Sequence, residues 1–170
     1  MSDSVAGGRI IAFGDVIDDI IVTPERAVRT ETDTPADIRF TQGGSAANMA
    51  AWLGSLGASV DFVGRVGRGD AERHIAALAA FGVRATIDEH ETLATGRIVV
   101  LVDGDSRTFL TAGGAARTLG LDALEQSKID AAASILTTGH SLLEPARLAQ
   151  MPGLLQRAGD TPVVLDPSSS

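Results

Sequence analysis

Three aspartates follow the first apolar run of the chain. Arg9 to Phe13 is typical of a buried strand, and residues 14–19 continue as Gly-Asp-Val-Ile-Asp-Asp. A carboxylate at such a strand end can accept hydrogen bonds from two adjacent hydroxyl groups of a polyol, and these charge-assisted bonds are stronger than neutral ones. Aspartate is also a common turn former. The segment therefore predicts either a polyol-binding carboxylate or a turn.

A second candidate segment is Gly-Gly-Ser-Ala-Ala-Asn at residues 43–48. The two glycines allow the backbone to approach a ligand closely, and the helix that follows begins with unpaired N–H groups. Asn48 carries both a donor and an acceptor one turn into that helix, which suits a sugar hydroxyl because the hydroxyl also donates and accepts. The pattern predicts a site for hydroxyls or an anion. The alternative is a tight turn followed by Ser45 as a helix N-cap.

Alternating strands and helices must position these two segments. Helices are predicted over 45–56 and 71–81, where Gly57 and Gly82 follow the last apolar residues as C-caps do. The remaining predicted elements are strands at 9–13, 17–23, 37–41, 60–66, 135–138 and 163–165, and helices at 121–127 and 145–157. This order indicates an α/β fold with parallel strands and right-handed crossovers, in which ligands bind beyond the carboxyl ends of the strands.

A predicted hairpin interrupts this alternation. Residues 95–102 and 107–111 are rich in β-branched side chains and flank Asp-Gly-Asp-Ser at 103–106. Asp-Gly tolerates the positive φ angles of tight hairpin turns. The sequence thus predicts a parallel α/β core with a small inserted β-sheet.

Composition restricts the class of protein and its partners. The 170 residues suffice for one core and are expected to form a single domain. Lys and Arg total 14 against 22 Asp and Glu, so the net charge is 14 − 22 = −8, and such a surface repels nucleic acid. The N-terminus lacks a signal peptide, and no apolar run is long enough to cross a bilayer. We therefore expect a cytoplasmic protein without a nucleic-acid or membrane partner.

Metal, nucleotide and hydrolase motifs are weak in this sequence. The absence of cysteine excludes disulfides and thiolate metal sites. His74, His90 and His140 are scattered without metal-ligand spacing, so we interpret each as a surface or packing residue and expect no metal site. No G-x-G-x-x-G follows a strand. Ser141, beside His140, lacks the surroundings of a hydrolase nucleophile.

The spaced glycines carry a family resemblance. Residues 43–50, Gly-Gly-Ser-Ala-Ala-Asn-Met-Ala, together with Gly57 and Gly67 resemble the N-terminal signature of PfkB (ribokinase-like) carbohydrate kinases. Further similar features are Gly14 with Asp19 five residues later, Thr95-Gly96, Arg107-Thr108-Phe109, Gly114-Ala115, and the strands at 135–139 and 163–167. The similarity runs from Arg9 to the last residues of the chain.

The resemblance implies a fold, a substrate class and a set of site residues. The fold would be a ribokinase-like parallel three-layer core, incomplete here, with a small inserted β-sheet lid whose strands lie within about 17–41 and 95–111. Asp19, Gly43, Gly44 and Asn48 would bind the hydroxyls of a small-molecule sugar. The lid of such kinases often also forms a dimer interface, so a homodimer through the lid is implied.

Two departures from the family pattern matter. Asp70 is displaced by one position and Glu72 replaces a glycine, and we expect Asp70 to cap the helix that begins at Ala71. The Gly-Ala-Gly-Asp motif that supplies the catalytic base is absent, because the similar Ala158-Gly159-Asp160 is followed by a strand rather than a helix. The magnesium-linked Asn-x-x-Glu is absent too. The base, ATP and Mg²⁺ are therefore expected beyond Ser170, and the chain alone is expected to be inactive.

Two functions follow from these expectations. The first is ATP-dependent phosphorylation of a sugar, polyol or nucleoside hydroxyl by the complete protein, with this chain as the sugar-binding part. The alternative is a non-catalytic sugar-binding or interaction protein that uses the same pocket. The substrate is left open: Arg97 and Arg107 would favour an acidic or phosphorylated sugar if they faced the pocket, but arginines in hairpins are more often solvated.

Overall fold

A computed structural model describes residues 8–167, which form two separate sheets. The nine strands of this range are β1 (Arg9–Phe13), β2 (Ile17–Pro24), β3 (Ala36–Gly43), β4 (Val60–Gly67), β5 (Arg84–His90), β6 (Arg97–Asp103), β7 (Ser106–Ala112), β8 (Ala132–Thr138) and β9 (Val163–Asp166). The α-helices are α1 (Ser45–Ser55), α2 (Ala71–Ala79), α3 (Gln126–Asp130), α4 (Pro145–Leu148) and α5 (Met151–Ala158), with 3₁₀ turns at Gly114–Thr118, Leu121–Ala123 and His140–Leu142.

The larger sheet is entirely parallel and has the strand order β5-β4-β1-β8-β9. Strand β1 lies at its centre, where Ile11 pairs with Asp61 of β4 and Ile135 of β8. Ile11, Ala12 and Phe13 are buried, as expected for a central parallel strand covered on both faces. The carboxyl ends of β1, β4 and β8 therefore meet along one edge of the sheet.

Alternate residues of β1 pack into two hydrophobic clusters. Ala12 contributes to a cluster with Ala47 and Ala50 of α1 and Leu78 of α2. Ile11 and Phe13 contribute to a second cluster whose other members include Leu119, Leu124, Ile129 and Leu154. Because successive residues of a strand point to opposite faces, the parallel sheet is covered by helices on both sides. This arrangement is the predicted three-layer core.

The smaller sheet has the order β3-β2-β6-β7, with β2 antiparallel to β3 and parallel to β6, and β6 antiparallel to β7. Its register defines two faces. The inner face carries Asp19 in one row with Thr41, Ile98 and Thr111. The outer face carries the next row along, which is apolar and consists of Ile20, Phe40, Val99 and Leu110. Of these two neighbouring rows, the inner one mixes polar and apolar side chains and the outer one is wholly apolar.

The predicted fold class is confirmed, including the inserted sheet. Gly57, Gly82 and Gly104 have positive φ angles of 88°, 77° and 57°, as expected after α1, after α2 and in the β6–β7 turn. One strand was missed: β5 lies at the edge of the parallel sheet beside β4. The helix predicted over 121–127 is instead a 3₁₀ turn followed by α3, and that over 145–157 is divided into α4 and α5.

Candidate functional site

Asp15 connects three elements at the carboxyl edge of the parallel sheet. Its carboxylate accepts hydrogen bonds from Ser45 N (2.6 Å) and Ala46 N (3.2 Å) at the start of α1. The hydroxyls of Thr138, at the end of β8, and of Ser141, in the 3₁₀ turn that follows, lie 3.3 Å from the same carboxylate. A carboxylate at a helix N-terminus is favoured by the helix dipole. Asp15 therefore has a structural role that fixes α1 against β1 and β8.

This contact corrects two expectations about the start of α1. The first N–H groups of the helix are not open to a ligand, because Asp15 accepts from Ser45 N and Ala46 N with its side chain and from Ala47 N with its carbonyl oxygen at 3.2 Å. Ser45 is not the N-cap either, since Gly44 occupies that position and Ser45 is the first helical residue. Any anion at this edge would have to bind elsewhere.

The two glycines are required by close packing. Gly44 has φ 106°, a conformation that side chains with a Cβ rarely adopt, and a Cβ there would lie 2.5 Å from the carbonyl oxygen of Asp15. A Cβ at Gly43 would overlap the carboxylate of Asp19. The glycine pair thus lets β2 and the loop after β1 pack directly against the end of β3.

The carboxylate of Asp19 lies against the backbone of Gly43 and has no hydrogen bond or ion pair with any residue in the range 8–167. It is half-buried. Burial, with the negative charges of Asp15 and Asp18, raises the pKa of Asp19 above its usual value of 3.8. An incompletely hydrated carboxylate without a donor is suited to accept hydrogen bonds from a ligand.

Asn48 lies one turn into α1, where its backbone N–H donates to Gly44 O at 2.8 Å. Its exposed side chain lines a groove of about 440 Å³ that Gly43 also lines. Asp19 does not line this groove. Of the four residues predicted to bind a sugar, the structure therefore brings Asp19 and Gly43 into contact and Gly43 and Asn48 into one groove, while Gly44 shapes the turn between them.

A polar network that the sequence did not reveal links α2 to the smaller sheet. Arg73 of α2 donates to both oxygens of Asp18 at 2.5 and 2.8 Å and to Asp70 at 2.8 Å. Asp70 also accepts from Thr95, immediately before β6, at 2.5 Å. These donors lower the pKa of Asp70 to about 2. Bonded residues of the network are up to 55 positions apart, so spacing alone could not have identified it.

Asp70 does not make the cap predicted for it. It precedes α2, but its side chain makes no capping hydrogen bond. The N–H of Ala71 instead donates to the carboxylate of Glu89 in β5 at 3.1 Å. The carboxylate of Asp70 is occupied by Arg73 and Thr95, which outcompete a local backbone contact because a guanidinium is a charged donor.

The remaining predicted residues lie away from Asp19. Arg107 shares the inner face with Asp19, but its row is four residues further along the strand, or about 13 Å at ~3.3 Å per residue. Arg97 belongs to the outer face. Asp160 lies in the turn between α5 and β9 rather than at a helix start. Neither arginine therefore adjoins the carboxylate.

The histidines have three different surroundings. His140 is exposed, and His90 accepts hydrogen bonds from Thr92 N and Leu93 N. His74 is buried in α2. Within residues 8–167, no group of three or more His, Asp or Glu side chains is placed to hold a metal ion. In the same range, no helix is long and apolar enough to cross a membrane.

Comparison with solved structures identifies the same fold in sugar and nucleoside kinases. The similar structures include ribokinase from Giardia lamblia (TM-score 0.83, 16% identity), covering 95% of this chain and 55% of that one. They also include fructokinase from Xylella fastidiosa with bound ATP (TM-score 0.76, 20% identity), covering 94% of this chain and 50% of that one. A third is adenosine kinase from Sinorhizobium meliloti (TM-score 0.79, 19% identity), covering 94% of this chain and 56% of that one. The chain thus spans about half the length of these proteins.

Comparison of the sequence with family models shows its membership. The model described as pfkB family carbohydrate kinase matches residues 8–170. The chain therefore belongs to the pfkB family of carbohydrate kinases. A search of curated proteins gave no match.

Proposed function

We propose that the complete protein transfers the terminal phosphoryl group of ATP to a hydroxyl group of a sugar, a related polyol or a nucleoside. The observation that carries this proposal is the unpaired carboxylate of Asp19, which lies against Gly43 in a chain of the pfkB family. A carboxylate in this position is suited to accept hydrogen bonds from two neighbouring hydroxyls of one sugar. Gly43 has no Cβ to overlap this carboxylate, and Asn48 lines a groove together with Gly43.

In the proposed reaction, the acceptor oxygen bonds to the γ-phosphorus while the bond from that phosphorus to the β–γ bridging oxygen breaks. ADP leaves, and the proton of the hydroxyl passes to a general base. We assign only the acceptor side to residues 8–167, and the base and the binding sites for ATP and Mg²⁺ to parts of the complete protein outside this range. Two observations support this division: Asp160 lies in a turn, and the similar kinases are about twice as long as this chain.

The test is ADP release by the product of the full reading frame over a panel of sugars, sugar phosphates and nucleosides. Asp19→Asn should lower kcat/KM about 10- to 150-fold, because a hydrogen bond to a charged group contributes about 1.5–3 kcal/mol. Asp33→Asn, at an exposed aspartate remote from the site, is the matched control and should leave kcat/KM unchanged. Turnover of none of the panel would refute the proposal. Sugar binding without turnover would support the non-catalytic alternative.

We also propose that the protein forms a homodimer through the outer face of the smaller sheet. The apolar row of Ile20, Phe40, Val99 and Leu110 is followed on the same face by Val22, Ile38 and Leu101. Phe40 and Leu110 are 76% and 62% exposed. A contiguous apolar patch of this kind on a sheet face is typical of a protein interface. A second copy of the same face would bury it symmetrically.

Sedimentation velocity tests the dimer with a matched pair of variants. Phe40→Lys, on the outer face, should shift the protein to a monomer because it would bury an unpaired ammonium group in the interface. Phe109→Lys, on the inner face and 59% exposed, should leave the dimer intact. A wild-type monomer at micromolar concentration, or equal effects of the two substitutions, would contradict the proposal.

A further inference from the structure

The groove between α1 and α2 has the size of a small-molecule site. Its volume is about 440 Å³, within the range of about 300–1,000 Å³ that such sites occupy. It runs from Gly43 and Asn48, beside the edge of β3, along α1 to Trp52 and across to Phe81 after α2. Both helices and the end of β3 contribute residues to this groove.

A buried polar side chain in the wall of the groove has no hydrogen-bond partner in the described part of the chain. His74 is 1% exposed, and neither ring nitrogen has a hydrogen-bond partner among residues 8–167. Nε2 lies 3.4 Å from Asp18 Oδ1, but that oxygen already accepts from Arg73 Nη1 at 2.5 Å, and the geometry to His74 is not that of a hydrogen bond. Buried polar groups are nearly always satisfied, so an unsatisfied one beside a groove points to a ligand.

The groove lining defines the chemistry of this ligand. None of the side chains that line it is charged at neutral pH, because burial and the nearby cation of Arg73 lower the pKa of His74. The neutral imidazole offers one donor and one acceptor, as do the amides of Gln42 and Asn48. Trp52 is 71% exposed and Phe81 is 49% exposed, so both present aromatic surface. The lining thus combines aromatic contacts with paired donors and acceptors.

A charged ligand would find no counter-charge here. The nearest guanidinium, that of Arg73, is already held by the carboxylates of Asp18 and Asp70. Burying a carboxylate or phosphate in a groove without a free cation is costly. An uncharged ring that carries a donor and an acceptor on one edge avoids this cost and can stack on the aromatic side chains.

We infer that the groove between α1 and α2 is a second ligand site, distinct from the carboxylate of Asp19, for an uncharged heteroaromatic molecule with an amide-like hydrogen-bonding edge. Neutral purine bases and aromatic carboxamides belong to this chemical class. Binding in this groove does not depend on phosphoryl transfer, because the residues that line it all lie within 8–167. Gly43 and Asn48 would place its occupant next to the proposed sugar site.

Tryptophan fluorescence can report occupancy directly, because Trp52 is the sole tryptophan of the chain and lines the groove. The probes are adenine, benzamide and benzoate, without ATP or sugar. Adenine and benzamide should change the Trp52 emission saturably at concentrations up to the millimolar range. Benzoate has the same ring as benzamide but a negative charge, and it should bind at least 10-fold more weakly.

Substitutions in the groove test whether the signal comes from this site. Ala77→Leu fills the groove from α2 and should weaken adenine binding at least 10-fold. Ala76→Leu, on the same helix but exposed and outside the groove, is the matched control and should bind as the wild type does. Ser55→Leu, at the exposed end of α1, narrows the groove from the other side and replaces Ala77→Leu if that variant fails to fold.

Three results would overturn the inference. These are the absence of a saturable response to adenine and benzamide, equal affinity for benzoate and benzamide, and equal affinity in the groove-filling variant and its control. Failure of the proposed kinase activity would be distinguishable, because it would abolish ADP release while leaving the Trp52 response intact.

Discussion

Removal of the Asp15 carboxylate should destabilise the protein by about 3 kcal/mol. Asp15→Ala leaves the N–H groups of Ser45 and Ala46 without their acceptor and removes one of the partners of the Thr138 and Ser141 hydroxyls. One unpaired buried donor costs about 1–3 kcal/mol, and loss of the charge at the helix N-terminus costs about 0.3–1 kcal/mol. Asp15 is only half-buried, so water replaces part of what is lost and the total stays below the sum.

Urea unfolding followed by circular dichroism and by Trp52 fluorescence measures this loss. In thermal unfolding, the same loss should lower the melting temperature by about 6–12 °C, at about 2–4 °C per kcal/mol for a chain of this size. Asp15→Asn should lie between the wild type and Asp15→Ala, because one oxygen is kept while an amide N–H₂ faces a backbone N–H. Asp33→Ala, at an exposed aspartate, should change stability by less than about 0.5 kcal/mol. A similarly small change for Asp15→Ala would refute the structural role of this carboxylate.

Three further substitutions give expected outcomes that urea unfolding can check. Gly44→Ala should cost at least about 1–2 kcal/mol more than Gly57→Ala, because both glycines have positive φ but only a Cβ at Gly44 meets backbone atoms. Asp19→Asn should raise stability at neutral pH, since the pKa of Asp19 is raised and its charge opposes folding; the difference should shrink as the pH falls through that pKa and the wild-type carboxyl becomes neutral. The pKa of Asp70 is lowered from 3.8 to about 2, so the ionised carboxylate stabilises the wild-type protein above pH 3.8 and this stabilisation is lost as the pH falls to about 2. Asp70→Asn lacks this carboxylate, so its stability should fall less than that of the wild type over the same pH range.

The elements that the sequence predicted well are those with strong local signals. The Ala-rich pattern before Gly57 predicts α1 to within one residue, and Asp-Gly at 103–104 predicts the β6–β7 hairpin. Strand β5 was missed because Asp88 and Glu89 are poor strand formers and its side chains are mostly exposed at the sheet edge. Its strand structure comes from pairing with β4, which is a tertiary contact.

The division of the region 145–157 into two helices has a local cause that periodicity obscured. Pro152 lacks a backbone N–H and is tolerated only in the first turn of a helix. It lies at the start of α5, so the chain must begin a new helix there rather than continue α4.

The sequence placed three aspartates near the first strand but could not assign their roles. Asp15 binds the start of α1, 30 residues away, and Asp18 pairs with Arg73, 55 residues away, while Asp19 has no partner in the range 8–167. Turn formation and ligand binding were the alternatives, yet two of the carboxylates have long-range structural partners. Only the contacts distinguish the carboxylate that is available to a ligand.

The network around Arg73 has a consequence for motion. The smaller sheet connects to the rest of the chain at the starts of β2 and β6 and at the ends of β3 and β7. The first two connections are held at the start of α2: Asp18 by Arg73, and Thr95 by Asp70. Arg73 bonds both carboxylates, so the two attachments share one guanidinium. Any change in the angle between the smaller sheet and α2 must therefore strain or break the contacts of this one guanidinium.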